Sequence, residues 1–152
     1  MDYRRYRSDD FAALYAVEKV CFEPPFRFES GYMRRVVSAS NAATWIAEDA
    51  GQMVGFAIVE WTGMKPQTSA YILTVEVLPT HRGKGVGAEL LRRLEGSARG
   101  EGARSIWLHV DQANDPAIRL YEKQGYLAAG EEEHFYAPDR GAYLYRKDIE
   151  AQ

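Results

Sequence analysis

Arg82-Gly83-Lys84-Gly85-Val86-Gly87 lies between an apolar run, Tyr71 to Leu78 closed by Pro79, and an amphipathic segment, Ala88 to Ala98. A strand, a glycine-rich turn and a helix start in that order form a cradle for phosphate. Three alternate glycines let the backbone approach a ligand closely, because no Cβ stands in the way. The first N–H groups of the helix point at an anion there, and the positive end of the helix dipole favours negative charge. Arg82 and Lys84 add cationic charge beside it. A ligand carrying phosphates is expected at this turn, inside an α/β fold.

Working outward, the chain divides into alternating strands and helices. Tyr3 to Arg7 reads as an edge strand. Ser8 before Asp9 and Asp10 signals a helix start, and Phe11, Leu14, Tyr15, Val17 and Cys21 form its apolar stripe. Glu23-Pro24-Pro25-Phe26 ends that helix, and a second runs from Glu29 to Val37. Thr44 to Glu48 and Met53 to Trp61 make two strands around a tight turn at Ala50-Gly51, and Met64 to Thr68 is a loop. Strict alternation in the next strand puts Tyr71, Leu73, Val75 and Val77 on one face and Ile72, Thr74 and Glu76 on the other. Ser105 to Val110 turns Ile106, Leu108 and Val110 one way and Trp107, His109 and Asp111 the other. Asp115-Pro116 opens a further helix with Asp115 as cap, and Gln124-Gly125 closes it. Strands near Tyr126 to Glu132 and Ala142 to Lys147 flank Phe135 to Gly141. The expected architecture is an α/β domain with a mixed, partly antiparallel sheet of six to seven strands and about four helices.

Composition narrows the function. The 152 residues suit one domain, 46 % of them are apolar, and the formal net charge of −3 provides no basic field for nucleic acid. Cys21 is the only cysteine, which excludes an internal disulfide and a multi-cysteine metal site; no metal is expected. The N-terminus lacks an apolar signal core and no run reaches membrane-spanning length, so a cytoplasmic protein without membrane association is expected, monomer or homodimer being left open. The run Glu131-Glu132-Glu133 reads as a solvated strand edge.

Three ligand classes compete for the glycine turn. Gly83 to Ala88 matches a dinucleotide fingerprint, but that motif requires a repeated strand–helix–strand context with a second mononucleotide half. A nucleoside-triphosphate loop is excluded because no Gly-Lys-Ser/Thr follows. The third class comes from resemblance. Val77 to Gly87 resembles the acetyl-coenzyme A signature of the GCN5-related N-acetyltransferases, Arg/Gln-x-x-Gly-x-Gly/Ala after a V-x-P strand end. Asn114-Asp115-Pro116-Ala117-Ile118-Arg119-Leu120-Tyr121-Glu122-Lys123-Gln124-Gly125-Tyr126 is similar to that family's second motif, N-x-x-A-x-x-L-Y-x-x-x-G-F/Y. Element order extends the likeness over nearly the whole chain.

The resemblance implies an acetyl-CoA-dependent N-acetyltransferase. It implies that the turn from Arg82 through Gly83, Lys84, Gly85 and Val86 to Gly87 holds the pyrophosphate, and that the strand end at Val75 and Val77 pairs with the pantetheine arm. Asn114 and Tyr121 complete the cofactor side, with Tyr121 as general acid. His109 and Glu76 are the candidate bases. Within the family, Ser105 to Val110 and Phe135 to Tyr143 look like the N-terminal protein acetyltransferases, nearest to the ribosomal-protein alanine (RimI) type. That likeness implies Glu23 and Phe26 on one wall of a peptide groove and Tyr136 on the other. The subfamily commonly has glutamate where this chain has His109. A peptide or protein N-terminus is the favoured acceptor, a small amine such as a polyamine, amino acid or aminoglycoside the alternative. A non-catalytic coenzyme A sensor is a third possibility.

Overall fold

The computed structural model describes residues 1–64 and 67–149; the loop expected over Met64 to Thr68 therefore falls partly outside the described residues, at Lys65 and Pro66. Seven strands and four α-helices follow in the order β1 (Asp2–Arg5), α1 (Phe11–Cys21), α2 (Ser30–Ser38), β2 (Ala42–Asp49), β3 (Gln52–Thr62), β4 (Ser69–Val77), α3 (Val86–Gly100), β5 (Ser105–Asp111), α4 (Asp115–Lys123), β6 (Leu127–Ala137) and β7 (Arg140–Asp148). The strands form one sheet in the order β1-β2-β3-β4-β5-β7-β6. All neighbours are antiparallel except β4 and β5. Among the described residues no helix is long and apolar enough to cross a membrane.

Helices cover both faces. α3 presents Val86, Leu90, Leu91, Leu94 and Ala98 to one face, where they pack with Val54, Ala57, Val59, Ile72, Ile106 and Leu108. A fully buried leucine contributes about 1.5–3 kcal/mol, so α3 is anchored along its length and its first turn is held in place. α1 and α2 cover the other face with Phe11, Leu14, Val17, Met33 and Val36 against Ile46, Phe56 and Ile58.

Two features of the sheet open the site. The first is a bulge in β4: Thr74 pairs with Ile58 and Ile72 with Val59, leaving Leu73 as the extra residue. The bulge corrects the simple alternation expected for this strand. Leu73 packs with the α1–α2 core, whereas Val75 and Val77 join Ile72 on the α3 side. One inserted residue shifts the period-2 pattern by a step and bends the strand. The second feature follows from that bend. β4 and β5 pair only over Ala70–Ile72 and Ile106–Leu108, and the strands part from Leu73 and His109 onward.

Two further expectations change. α4 is capped by Asn114, whose Oδ1 accepts from the Ala117 amide at 3.3 Å, rather than by Asp115, which lies inside the helix. β6 runs to Ala137, beyond the expected end at Glu132. Glu132 pairs with Ala142 and the next pair is Ala137 with Arg140, so residues 133–136 leave the ladder. His134 has φ +62° in that stretch. This departure swings Phe135 and Tyr136 out of the sheet and over the gap between β4 and β5.

Candidate active site

The glycine turn builds an anion cradle from backbone alone. Gly83 and Gly85 have φ +75° and +84°, a left-handed conformation that a side chain strains. Gly85 is the residue before α3, which has no side-chain cap. The amides of residues 83–88 have no acceptor among the described residues; the next N–H, that of Glu89, bonds Gly85 O at 3.1 Å. The Arg82 amide, expected within the cradle, instead reaches Pro79 O at 3.4 Å, so the row of free donors begins at Gly83 and extends to Ala88. A row of unpaired N–H groups at a helix start is a ready anion site. The Arg82 side chain folds back, with Nε donating to Val77 O at 2.8 Å. Lys84 is exposed.

From the cradle, β4 leads back to the gap. Among the described residues the β5-side edge of Leu73 to Val77 has no strand partner, which leaves it open to an extended ligand, except at Val77 O, which Arg82 Nε already occupies. Beyond that edge lies a cavity of about 90 Å³ whose lining includes Val75, His109, Asn114, Tyr121, Phe26 and Tyr136. Tyr121 is 7 % exposed, and its hydroxyl has no hydrogen-bond partner among the described residues. A buried tyrosine normally satisfies its hydroxyl; this one points a free O–H into the cavity. Burial pushes its phenol upward, so it stays protonated and can donate. Tyr126, the last residue of the second motif, is different: it is core, with Oη donating to Glu95 at 2.8 Å. Asn114 lines the cavity while capping α4.

On the opposite side of the gap, side chains from five separate segments meet. The Tyr71 hydroxyl is 2.7 Å from His109 Nδ1, and His109 Nε2 is 3.0 Å from Glu132 Oε1. The Phe135 ring stacks on the imidazole at 4.1 Å and 11°. Burial pushes the Tyr71 phenol up to about 12. Tyr136 meets Phe26 at 4.9 Å between ring centroids, so the two expected walls touch. Arg140 lies over Phe26 and pairs with Asp111 at 3.2 Å, tying β7 to the end of β5. Glu23 is exposed and outside the cavity lining; its carbonyl accepts from the amides of Phe26 and Arg27 and so shapes the wall that presents Phe26. The α1–α2 segment is further held by Tyr15 Oη donating to Phe28 O at 2.7 Å.

Glu76 lies elsewhere. It is 2 % exposed, does not line the cavity, and takes a 2.7 Å hydrogen bond from Thr74 Oγ1. Burial, and then the neighbouring Glu18 carboxyl, hold its proton well above the usual carboxylate range. Glu18 Oε2 accepts from the Phe28 amide at 3.0 Å, while Oε1 of both carboxyls is buried without a donor. Two such groups side by side retain a proton between them, and this pair joins α1, β4 and the α1–α2 segment. Tyr71, Glu132, Phe135 and Glu18 were not singled out from sequence. Only the alternation that puts His109 opposite Ile106 and Leu108 hinted at which partners it would face.

Comparisons with known proteins bear on the family and the fold. Residues 11–126 match the model of the acetyltransferase (GNAT) family. Streptothricin acetyltransferase of Streptomyces lavendulae is 36 % identical over 98 residues, covering 64 % of this chain and 51 % of that protein. The N-alpha-acetyltransferase RimI of Mycobacterium tuberculosis is 33 % identical over 103 residues, covering 67 % and 63 %. The chain thus spans between half and two thirds of the length of these relatives. In fold, Arabidopsis thaliana NAA60 in complex with a bisubstrate analogue superposes with a TM-score of 0.86 at 24 % identity, covering 99 % of both chains.

Proposed function

The chain belongs to the acetyltransferase (GNAT) family, and from that premise we propose that it transfers an acetyl group from acetyl-coenzyme A to a primary amine, preferentially the N-terminal α-amine of a peptide or protein. The observation that carries this reading is the free Tyr121 hydroxyl in a cavity lined also by Val75 and His109, with the unpaired amides of residues 83–88 following the end of the same strand β4. The cradle fits a pyrophosphate, with Gly83, Lys84, Gly85, Val86 and Gly87 supplying donors, and Arg82 and Lys84 charge. The open β4 edge at Val75 and Val77 fits the amides of a pantetheine arm. When bound, acetyl-coenzyme A supplies an activated thioester.

The residues divide the remaining work. Backbone N–H near Val77 stabilises charge developing on the thioester oxygen. Tyr121 donates its hydrogen bond to the departing sulfur and supplies its proton as charge builds there. His109 accepts the amine proton through Tyr71. An α-amine has a pKa near 7.8 against about 10.4 for lysine, so it needs roughly 3.5 kcal/mol less deprotonation work. A histidine suffices for that amine. Glu76 keeps its proton and joins α1 to β4; it is not the base in this reading.

A second reading, acetylation of a small amine, draws on the Phe26–Tyr136 contact that closes the cavity and on the similarity to streptothricin acetyltransferase. Both readings are tested by following thiol release from acetyl-coenzyme A with N-terminal peptides, lysine peptides and small amines. Turnover on N-terminal peptides is expected. Turnover confined to small amines replaces the first reading with the second, and binding of coenzyme A without turnover on any amine replaces both with a sensor.

A further inference from the structure

The glutamate run at residues 131–133 is not uniform. Strand alternation separates its members, and only Glu132 turns toward β5, with Oε1 3.0 Å from His109 Nε2. Glu133 lies 3.9 Å from the exposed His134. We infer that Glu132 is a positioning residue for His109: it fixes the ring with Nε2–H toward the carboxylate and Nδ1 free to take the proton that Tyr71 relays from the acceptor amine. This inference rests on the proposed acetyl transfer and assigns the direction of its proton path.

The argument is one of donors and acceptors. A carboxylate can only accept, so its partner nitrogen carries the proton. The other ring nitrogen, Nδ1, is then a lone pair facing the Tyr71 hydroxyl at 2.7 Å, and Tyr71 donates to it. The opposite tautomer would set a bare Nε2 against a carboxylate, two acceptors facing each other. Burial keeps the Tyr71 phenol protonated, so its O–H is available to move. Phe135, stacked at 4.1 Å, restrains the ring. Glu132 and Phe135 bracket the point where β6 leaves its ladder with β7, so one irregular segment carries both the orienting carboxylate and the restraining ring.

The step balances. The ammonium of the acceptor passes one proton to Tyr71 Oη as the phenolic proton moves to His109 Nδ1. The amine becomes neutral and nucleophilic, Tyr71 is unchanged, and His109 becomes an imidazolium whose charge faces Glu132. A positioned histidine between a hydroxyl and a carboxylate follows the logic of the serine hydrolase triads. Other titratable groups near this chain are Glu60 from β3, Tyr32 from α2, Tyr121 from α4 and Tyr136 from β6, all close enough to interact with Tyr71. Asp111, at the end of β5, is engaged by Arg140.

The test compares Glu132→Gln with Glu131→Gln and Glu133→Gln, each also measured in a His109→Gln background. Nitrogen-15 NMR of the free protein reads the His109 tautomer, calorimetry reads coenzyme A affinity, and kcat is followed against pH. Expected for the parent is the Nε2–H tautomer. In Glu132→Gln that preference is lost and kcat falls about tenfold, less than the roughly 10²–10⁴ of a whole general base because the carboxylate is half-exposed. Coenzyme A affinity, Glu131→Gln and Glu133→Gln stay within about twofold of the parent, and Glu132→Gln adds nothing once His109 is replaced. An unchanged tautomer overturns the inference, as does an unchanged kcat. Equal losses in the neighbouring variants, or a loss that persists without His109, also overturn it. If the parent turns over no amine, the acetyl-transfer reading fails on that result, while the NMR comparison still decides the orientation of His109.

Discussion

The two ends of the proposed site are made of different materials. The end we propose for the acetyl donor is backbone: a row of amides over residues 83–88, two left-handed glycines and an edge of β4 without a strand partner among the described residues. The end we propose for the amine is side chain: Phe26, Tyr71, His109, Glu132, Phe135 and Tyr136, gathered from the α1–α2 segment, β4, β5 and β6. A backbone site suits a ligand whose phosphates and amides never vary. A side-chain site can be changed one residue at a time, which suits an acceptor that differs between relatives, here proteins named for streptothricin and for N-alpha acetylation.

The contrast can be broken at several points. The largest effect is expected at Gly85. A Cβ there meets nothing within 4 Å, but φ is +84°. Gly85→Val should therefore cost the fold only about 1–2 kcal/mol while reorienting the cradle and weakening coenzyme A binding by about a hundredfold or more, read by calorimetry. If binding survives, the donor end does not depend on the backbone.

Tyr121→Phe comes next. It should lower kcat by about a hundredfold and leave coenzyme A affinity and Tm nearly unchanged, because the lost hydroxyl has no partner among the described residues. Steady-state kinetics and a melting curve decide it, and an unchanged kcat removes Tyr121 from the chemistry. At the acceptor end, Tyr136→Ala should raise the acceptor KM by about tenfold, in line with loss of one aromatic contact of roughly 1–1.5 kcal/mol, without altering coenzyme A affinity. A matching loss of coenzyme A binding would show that the two ends are not separable.

The smallest effect on activity belongs to Glu76. Its folded-state proton is held more tightly than in the unfolded chain, so the native state binds more protons and stability declines as pH rises above the ordinary glutamate range. Glu76→Gln removes that penalty. Its Tm should match the parent near pH 4.5 and exceed it progressively toward pH 8, with kcat preserved; loss of kcat would restore Glu76 as the base.

The elements were largely legible in the sequence, because helical stripes and strand alternation are local. β4 shows where local reading stops. The extra residue at Leu73 is invisible to a period-2 pattern, yet it carries Val75 and Val77 to the α3 face and parts β4 from β5. Asn114 against Asp115 as helix cap is a smaller case, decided by which oxygen reaches the Ala117 amide. Glu132 within its triplet is a sharper one: three identical side chains are indistinguishable until strand register aims one of them at His109.

The glycine turn thus ends as a row of donors whose position was readable from six residues, since left-handed φ values and a helix start are properties of a short segment and need no distant partner. Tertiary structure alone decided which side chains gather at the other end of the proposed site. The Tyr71–His109–Glu132 chain joins positions from Tyr71 to Glu132, far apart in sequence, and its contacts exist only because the β4–β5 pairing and the sheet order β5-β7-β6 bring three strands' side chains to one point.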